Sequence, residues 1–238
     1  MDKYRFAVVD CRMERAMMDK LTEYADVVLP LPPFDALQVP VSAHPDMLLW
    51  RLGDNIVTYR SYRQIAHHIF EQLESAGYKI LCEDDPTVQS YPHDVALNCA
   101  TVGKHLIANR RTVSGTVAEL CERNGVTLLH TNQGYAKCST LTLTDNAVIT
   151  ADRGIYSLCL KNGIDALLIT EGNVRLDGYD HGFIGGATGV TDKNVLFTGN
   201  LLLHPDHSAI ESFCHKHDKL PTSLSHTPLY DYGTVLFF

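Results

Sequence analysis

The same order of segments recurs along this chain: a polar segment, a short apolar strand, a tight turn, a second strand, a helix and a third strand. Four complete copies are marked by their turns, which lie about 42 to 49 residues apart, a spacing typical of radial or stacked repeat proteins. The turns are Asp54-Asn55, Gly103-Lys104, Asp145-Asn146 and Lys193-Asn194. Because one such unit cannot bury its apolar face alone, we expect the copies to pack against one another.

The two ends of the chain supply a fifth copy. Residues 232–238 (YGTVLFF) are predicted to form its first strand and residues 4–9 (YRFAVV) its second. A repeat that is divided at its own turn predicts a closed ring in which the termini pair. We therefore predict one α/β domain over 1–238, a five-bladed α/β-propeller of ββαβ repeats. The repeats span about 41–85, 86–132, 133–173, 174–227, and 228–238 joined to 1–40.

Apolar residues at helical spacing predict a helix between the second and third strands of each repeat, the longest over 61–76. Three of these helices are followed by Gly77, Gly125 or Gly163, at the position where a left-handed C-cap favours glycine. The prolines between Pro30 and Pro40 predict an extended connector outside any sheet, because proline lacks a backbone donor.

Composition excludes several classes of protein. Hydrophobic residues make up 45% of the 238 residues and charged residues 20%, as in ordinary soluble domains. A formal net charge of −8 argues against nucleic acid as a partner, and no apolar run is long enough to enter a membrane. The first residues lack the apolar core of a signal peptide. Seven scattered cysteines without a CxxC pair favour reduced thiols and a cytoplasmic location.

When the copies are aligned on their turns, each has a polar segment just before its first strand. In a closed ring these equivalent segments are predicted to lie close together. These segments contain one cysteine together with several imidazoles and carboxylates. Thiolate catalysis uses the same groups: a thiol, a base that activates it, and a carboxylate that orients the base or binds a cation. The residues brought together are His44, Asp46, His93, Asp94, Lys137, Cys138, Asp180, His181 and Asp231.

This arrangement resembles the pentein fold, the α/β-propeller of the guanidino-group-modifying enzymes, in repeat number and order over the whole chain. That group includes arginine and agmatine deiminases, dimethylarginine hydrolases and amidinotransferases. The ribosome anti-association initiation factor shares the fold without catalysis. Residues 171–178 (EGNVRLDG) are similar to the family's Glu-Gly-Gly-Asn/Ser/Asp segment, and residues 133–140 (QGYAKCST) and 178–186 (GYDHGFIGG) resemble a bacterial branch of the fold.

The resemblance implies that Glu171 places a carboxylate near a guanidinium group. The family usually carries its catalytic cysteine in the last repeat, whereas the C-terminal strand of this chain has none. Cys138 is therefore chosen by its position in the ring and not by the family's order. We expect neighbouring Lys and His side chains to lower its pKa and make it the most reactive of the seven cysteines.

Three functions are left open. In the first, the protein is a cysteine-dependent hydrolase or transferase for a small guanidine or amidine. Cys138 is the nucleophile, His181 or His93 carries protons, and Asp94 assists them. The cationic substrate is then bound by Asp46, His44, Glu171, Asp180 and Asp231, and no cofactor is required.

Two alternative functions would use the same polar segments of the ring. The second is a non-catalytic binding protein, as in the initiation factor. The third is a metal site, because several residues of the polar segments are competent ligands, although their spacing matches no zinc motif. These ligands are His44, Asp46, His93, Asp94, Cys138 and His181. The sequence leaves a homodimer open.

Overall fold

A computed structural model describes residues 3–89 and 91–238 of the chain. Within them lie five sheets of three strands each. In every sheet the first two strands of a repeat pair antiparallel, and the second pairs parallel with the third across a helix. A tight turn joins the first two strands in the four complete repeats. This is the predicted ββαβ unit.

The strands are β1 (Tyr4–Asp10), β2 (Ala25–Leu31), β3 (Leu49–Leu52), β4 (Asn55–Tyr59), β5 (Lys79–Glu83), β6 (Ala100–Val102), β7 (His105–Ala108), β8 (Thr127–His130), β9 (Thr140–Thr144), β10 (Ala147–Thr150), β11 (Asp165–Leu168), β12 (Thr188–Val190), β13 (Asn194–Phe197), β14 (Leu220–Ser223) and β15 (Leu236–Phe237). The helices are α1 (Arg15–Leu21), α2 (Pro45–Leu48), α3 (Arg60–Ile65), α4 (His67–Ser75), α5 (Gly115–Arg123), α6 (Arg153–Lys161) and α7 (His207–Lys216). Short 3₁₀ turns cover Val39–Val41 and Leu201–Leu203.

The ring closes through the two ends of the chain. Strand β15 pairs antiparallel with β1, with Ala7 opposite Phe237. Phe6 and Phe238 exchange both of their backbone hydrogen bonds, at 3.0 and 2.9 Å. Around the ring, β6 contacts β9, β9 contacts β12, and β12 contacts β15, while α2 packs on β1 and α5 on β3. The predicted five-bladed ring with one divided repeat is confirmed.

The helix ends also follow the prediction. Gly77, Gly125 and Gly163 have φ values of +98°, +67° and +75°. Such left-handed values are accessible to glycine at no steric cost, so each glycine ends its helix and turns the chain into the next strand.

Three local predictions were wrong. The C-terminal strand is limited to Leu236–Phe237, because Gly233 and Thr234 have φ values of +69° and +76° and bend the preceding chain away from the sheet. Pro30 lies inside β2, opposite Val9. It is tolerated there because β2 is an edge strand, where a missing donor leaves no ladder bond unmade. The helix predicted over 61–76 is broken at Ala66 into α3 and α4.

The helices pack their apolar faces on the sheets, and α5 contacts both its own strand β8 and β3 and β5 of the preceding sheet. Ile69 and Leu73 of α4 are buried, as are the three helical cysteines Cys121, Cys159 and Cys214. Burying a large apolar side chain contributes about 1.5–3 kcal/mol, so these faces hold the helices outside and leave the first strands at the centre. In the described part of the chain, no helix is long and apolar enough to cross a membrane.

Candidate functional site

The polar segments before β3, β9 and β12 converge with the segment before β15 on a cavity of about 210 Å³, here called the thiol cavity. Glycines allow this approach. A Cβ at Gly185 would collide with the carbonyl oxygens of Lys137 and Cys138, and one at Gly186 would collide with the carboxylate of Asp231. The lining residues are Val41, His44, Tyr135, Cys138, Leu176, Tyr179, Asp180, His181, Phe183 and Asp231.

The thiol of Cys138 is held between two side chains from other repeats. It donates a hydrogen bond to Asp46 Oδ2 at 3.2 Å and accepts one from Asn98 Nδ2 at 3.0 Å. Asn98 Oδ1 also accepts from the backbone nitrogens of Lys137 and Cys138, at 2.9 and 3.1 Å. The sulfur therefore has a fixed position at the wall of the cavity.

The environment of this thiol is the reverse of the one expected from the sequence. Cys138 is only 2% exposed. Burial, the negative charges of Asp46 and Asp231, and the hydrogen bond to Asp46 raise the pKa of Cys138 well above its usual value, while the bond from Asn98 lowers it. In the protein alone the thiol is thus neutral, whereas Cys11 is exposed. The polar neighbours did not make the site electropositive, because the charged group in contact with the sulfur is the carboxylate of Asp46 and not a Lys or His side chain.

Asp46 lies directly behind the thiol. Its Oδ2 also lies 3.3 Å from the hydroxyl of Thr234, to which Lys137 Nζ donates at 2.8 Å. Burial lowers the pKa of Lys137, partly offset by the charges of Asp46, Cys138 and Asp231. Asp46 Oδ1 is buried and has no hydrogen-bond partner among the described residues.

His44 lies between two buried carboxylates. Its Nε2 is 3.8 Å from Asp10 Oδ2 and its Nδ1 is 3.7 Å from Asp231 Oδ1. Asp231 accepts hydrogen bonds from the backbone nitrogens of Gly233 and Phe183, each at 2.9 Å. Burial raises the pKa of Asp231, an effect that His44 opposes and Asp46 reinforces. Both His44 and Asp231 face the thiol cavity.

The same two residues border a second, larger cavity of about 570 Å³. Its charged lining includes Asp10 and Arg12, which are paired. Arg12 Nε donates to Asp10 Oδ1 at 2.9 Å, and its Nη1 and Nη2 donate to the carbonyl oxygens of Val39 and Pro40 at 2.6 and 2.9 Å. Arg12 thereby holds the 3₁₀ turn, whose Val39 and Pro40 line the larger cavity and whose Val41 lines the thiol cavity.

His181 reaches the thiol cavity from the segment before β12. It is partly buried, and its Nε2 lies 3.4 Å from Glu171 Oε1. The carboxylate of Glu171 is largely exposed and does not line the thiol cavity; it borders a separate small cleft that His181 also lines. Asp180 lies exposed at the rim of the thiol cavity.

Asp94 and His93 lie outside the cavity lining. Asp94 is buried, and its Oδ2 accepts a hydrogen bond from the hydroxyl of Tyr135 at 3.2 Å. Burial raises the pKa of Asp94, while the hydrogen bond from Tyr135 and the nearby His93 lower it. His93 is exposed. Asp94 thus touches the cavity only through the ring of Tyr135.

An aromatic wall completes the thiol cavity. The rings of Tyr135 and Phe183 stack with centroids 6.1 Å apart and an interplanar angle of 29°. His181 meets the edge of Phe183 at 5.8 Å, and Tyr91 continues the row outward from Tyr135 at 5.7 Å. Tyr179 lies at the mouth, where its hydroxyl donates to Gln38 Oε1 at 2.7 Å.

The structure therefore groups the predicted residues in three ways. Five line the thiol cavity, Asp46 contacts the thiol from behind, and the remaining three lie farther out. The five are His44, Cys138, Asp180, His181 and Asp231, and the outer three are His93, Asp94 and Glu171.

The sequence did not predict that Asn98 hydrogen-bonds to the thiol of Cys138, that Thr234 contacts Asp46, or that Asp10 lies beside His44. The position of Asn98 could have been predicted from the repeat. It lies in the polar segment before β6, which is the counterpart of the segment that holds Cys138. Asp10 is the last residue of β1 and Thr234 precedes β15, and the sequence does not specify the register of these two strands.

Among residues 3–89 and 91–238, no group of three or more His, Cys, Asp or Glu side chains is arranged to hold a metal ion. The predicted ligands are separated because His93 is exposed, Asp94 is turned to Tyr135, and His181 is turned to Glu171.

Solved structures share the whole architecture. DDAH from Pseudomonas aeruginosa complexed with citrulline aligns at a TM-score of 0.55 and 11% identity, over 94% of this chain and 93% of that one. Agmatine deiminase from C. jejuni aligns at 0.57 and 8%, over 94% and 88%. The inosamine-phosphate amidinotransferase of Streptomyces griseus aligns at 0.55 and 12%, over 98% and 92%. No curated protein matches the chain in sequence.

The fold is thus that of the penteins, with five ββαβ blades around a central site. The model of a family of unknown function, DUF6873, matches residues 8–236, and the chain belongs to that family.

Proposed function

We propose that this protein binds a small guanidine or amidine in the thiol cavity and modifies it through a covalent bond to Cys138. The observation that carries the proposal is the position of the sulfur: it lies 3.2 Å from Asp46 and faces a cavity shared with Asp231, His44 and His181. The solved relatives include a DDAH, a deiminase and amidinotransferases, and they support this class of chemistry through the shared fold.

Charge complementarity favours a cation in the cavity. Asp46 and Asp231 are both buried, and both raise the pKa of the thiol. A planar guanidinium can pair with two carboxylate oxygens at once, and its positive charge offsets part of the negative charge of the two carboxylates. His44 lines the cavity, and its Nδ1 is buried without a hydrogen-bond partner in the described chain, so it offers a bond that a bound ligand would complete.

The same charges would couple binding to activation of the thiol. A nearby negative charge disfavours a thiolate, and a nearby positive charge favours it. A guanidinium placed between sulfur and Asp231 would offset the part of the rise in the pKa of Cys138 that comes from nearby negative charge. The thiolate would then form more readily when substrate is bound.

The proposed reaction has two steps. Sulfur bonds to the guanidinium carbon as the thiol proton passes to Asp46, and the carbon–nitrogen bond to the leaving amine breaks as His181 donates a proton to that amine. The remaining amidino group on Cys138 is then attacked by water or by an acceptor amine, which gives its proton back to His181. The carbon–sulfur bond breaks, and the thiolate recovers its proton from Asp46. The attacking group decides between hydrolase and transferase.

Calorimetric titration with a panel of small guanidines and amidines tests the proposal. We expect at least one compound to bind, and Asp231→Asn to weaken its binding by about tenfold or more, as loss of a charge-assisted bond predicts. Asp177→Asn, an exposed position bordering the larger cavity, is the matched control and should bind as the natural chain does. Binding without turnover would favour the non-catalytic alternative, and no binding by any compound would contradict the proposal.

A further inference from the structure

The thiol cavity contains two carboxylates and no Lys or Arg side chain among its described lining residues. The two carboxylates are those of Asp231 and Asp180. The ammonium of Lys137 is nearby but donates to Thr234, beside Asp46. A substrate carboxylate placed in this cavity would therefore lose hydration next to Asp231 and Asp180, with no Lys or Arg side chain to pair with it.

The neighbouring larger cavity contains two arginines, but neither is placed to pair with the carboxylate of a substrate in the thiol cavity. Its Arg12 is occupied by Asp10 and by two backbone carbonyls. Its Arg175 lies largely exposed, 4.0 Å from Asp177. A carboxylate reaching that cavity would also have to pass the wall formed by His44 and Asp231, which border both spaces.

The remaining surface of the thiol cavity is aromatic. Tyr135 and Phe183 stack in one wall, and Tyr179 stands at the mouth with 37% exposure. The orientation of Tyr135 is fixed by its bond to the buried Asp94. Flat cations and aromatic rings bind well on such faces. The volume of about 210 Å³ is below the usual range for organic ligands, so it accommodates a planar head and no more than one small ring.

We infer that the substrate of this site is a guanidine or amidine that carries an aromatic or flat apolar substituent and no carboxylate, which separates it from guanidino amino acids. This inference rests on the proposed function and specifies its substrate class. The carboxylates would bind the cationic head beside Cys138, and the rings of Tyr135, Phe183 and Tyr179 would cover the substituent.

Three probes that differ by one group test the inference on the full natural chain. Phenylguanidine has the head and a ring, methylguanidine has the head alone, and 4-guanidinobenzoate adds a carboxylate to the ring. In calorimetric titrations we expect phenylguanidine to bind about tenfold more tightly than methylguanidine, because contacts between its ring and the aromatic wall increase the affinity. We expect 4-guanidinobenzoate to bind about tenfold more weakly than phenylguanidine, because its carboxylate has no cationic partner.

Two variants locate the effect. Phe183→Leu should reduce the preference for phenylguanidine over methylguanidine to about threefold or less, because it weakens the binding of phenylguanidine more than that of methylguanidine. Tyr230→Leu, in the larger cavity, is the aromatic control and should keep the full preference. Since the comparison of probes is made on the natural chain, it stands even if Phe183→Leu folds poorly.

The outcomes separate the two proposals. If phenylguanidine and methylguanidine bind equally, or if 4-guanidinobenzoate binds as tightly as phenylguanidine, the site still takes guanidines but the inferred substrate class is wrong. If none of the three binds, the guanidine function itself fails, and the inference fails with it.

Discussion

The carboxylate of Asp46 accepts a hydrogen bond from the thiol of Cys138 at 3.2 Å, although 92 positions separate the two residues. They belong to the first and third complete repeats, and the ring brings them together before any ligand is present. Burial of the thiol, together with this contact, raises the pKa of Cys138, and the contact places a proton acceptor next to the sulfur.

The ionisation of Cys138 should depend on Asp46. Removing this negative charge lowers the cost of forming a thiolate, so Asp46→Asn is expected to lower the pKa of Cys138. The rate of alkylation by iodoacetamide at Cys138, followed by peptide mapping against pH, should then rise at lower pH than in the natural chain. In the natural chain we expect exposed Cys11 to react before Cys138. An unchanged pH profile in Asp46→Asn would contradict this electrostatic account.

Asp94 should destabilise the fold at neutral pH. Burial raises its pKa, so the folded chain binds this proton more tightly than the unfolded chain, whose carboxyl has a pKa of about 3.9. Protonated Asp94 therefore contributes its full stabilisation of the folded chain below about pH 3.9, and this contribution is lost as the pH rises through the pKa of Asp94 in the folded chain. Asp94→Asn should increase the free energy of unfolding at pH 7 by on the order of 1 kcal/mol. Urea unfolding of both chains should show the difference disappearing below about pH 4; a difference independent of pH would argue against it.

His181 is expected to carry protons in turnover, with Glu171 as its positioning partner. Once a substrate is found, His181→Gln should lower kcat by about 10²-fold or more, as loss of a general acid–base group does. Glu171→Gln should lower it less, because its carboxylate is largely exposed and 3.4 Å from the imidazole. His93→Gln is the control, since His93 is exposed and outside the cavity lining. A loss in His93→Gln equal to that in His181→Gln would reassign the base.

Closure of the ring should support much of the stability. Phe237 is 8% exposed and lies opposite Ala7 in the sheet that joins the termini. Truncating a buried Phe to Ala costs about 3–5 kcal/mol, against a total stability of about 5–15 kcal/mol for a domain. We expect Phe237→Ala to lower the melting temperature strongly, and removal of residues 235–238 to abolish a cooperative transition. A truncated chain that melts like the natural one would contradict closure.

The sequence was sufficient for the architecture and insufficient for the electrostatics. The turns at Asp54-Asn55 and Asp145-Asn146 and the glycine after each of three helices are local signals, so the number and order of the blades could be predicted. Burial is a property of the assembled ring. Nothing next to Cys138 in sequence indicates that Asp46 and Asn98 would enclose its sulfur, which is why the direction of its pKa was predicted wrongly.

The same limit explains the placement of the imidazoles. The polar segments indicated that His44, His93 and His181 occupy equivalent positions, but side-chain direction within each segment depends on its neighbours. His44 points between Asp10 and Asp231, His181 reaches Glu171, and His93 faces solvent. Equivalent positions in a repeat therefore indicated candidates without assigning their roles.

The most direct measurement of the central claim is the mass of the peptide that carries Cys138 after the protein has been incubated with a guanidine that binds and then quenched rapidly in acid. The account predicts that this peptide gains the mass of one amidino group and that the gain is absent in Cys138→Ala. Turnover of the guanidine with no adduct on Cys138, or with an adduct on Cys11 instead, would contradict it.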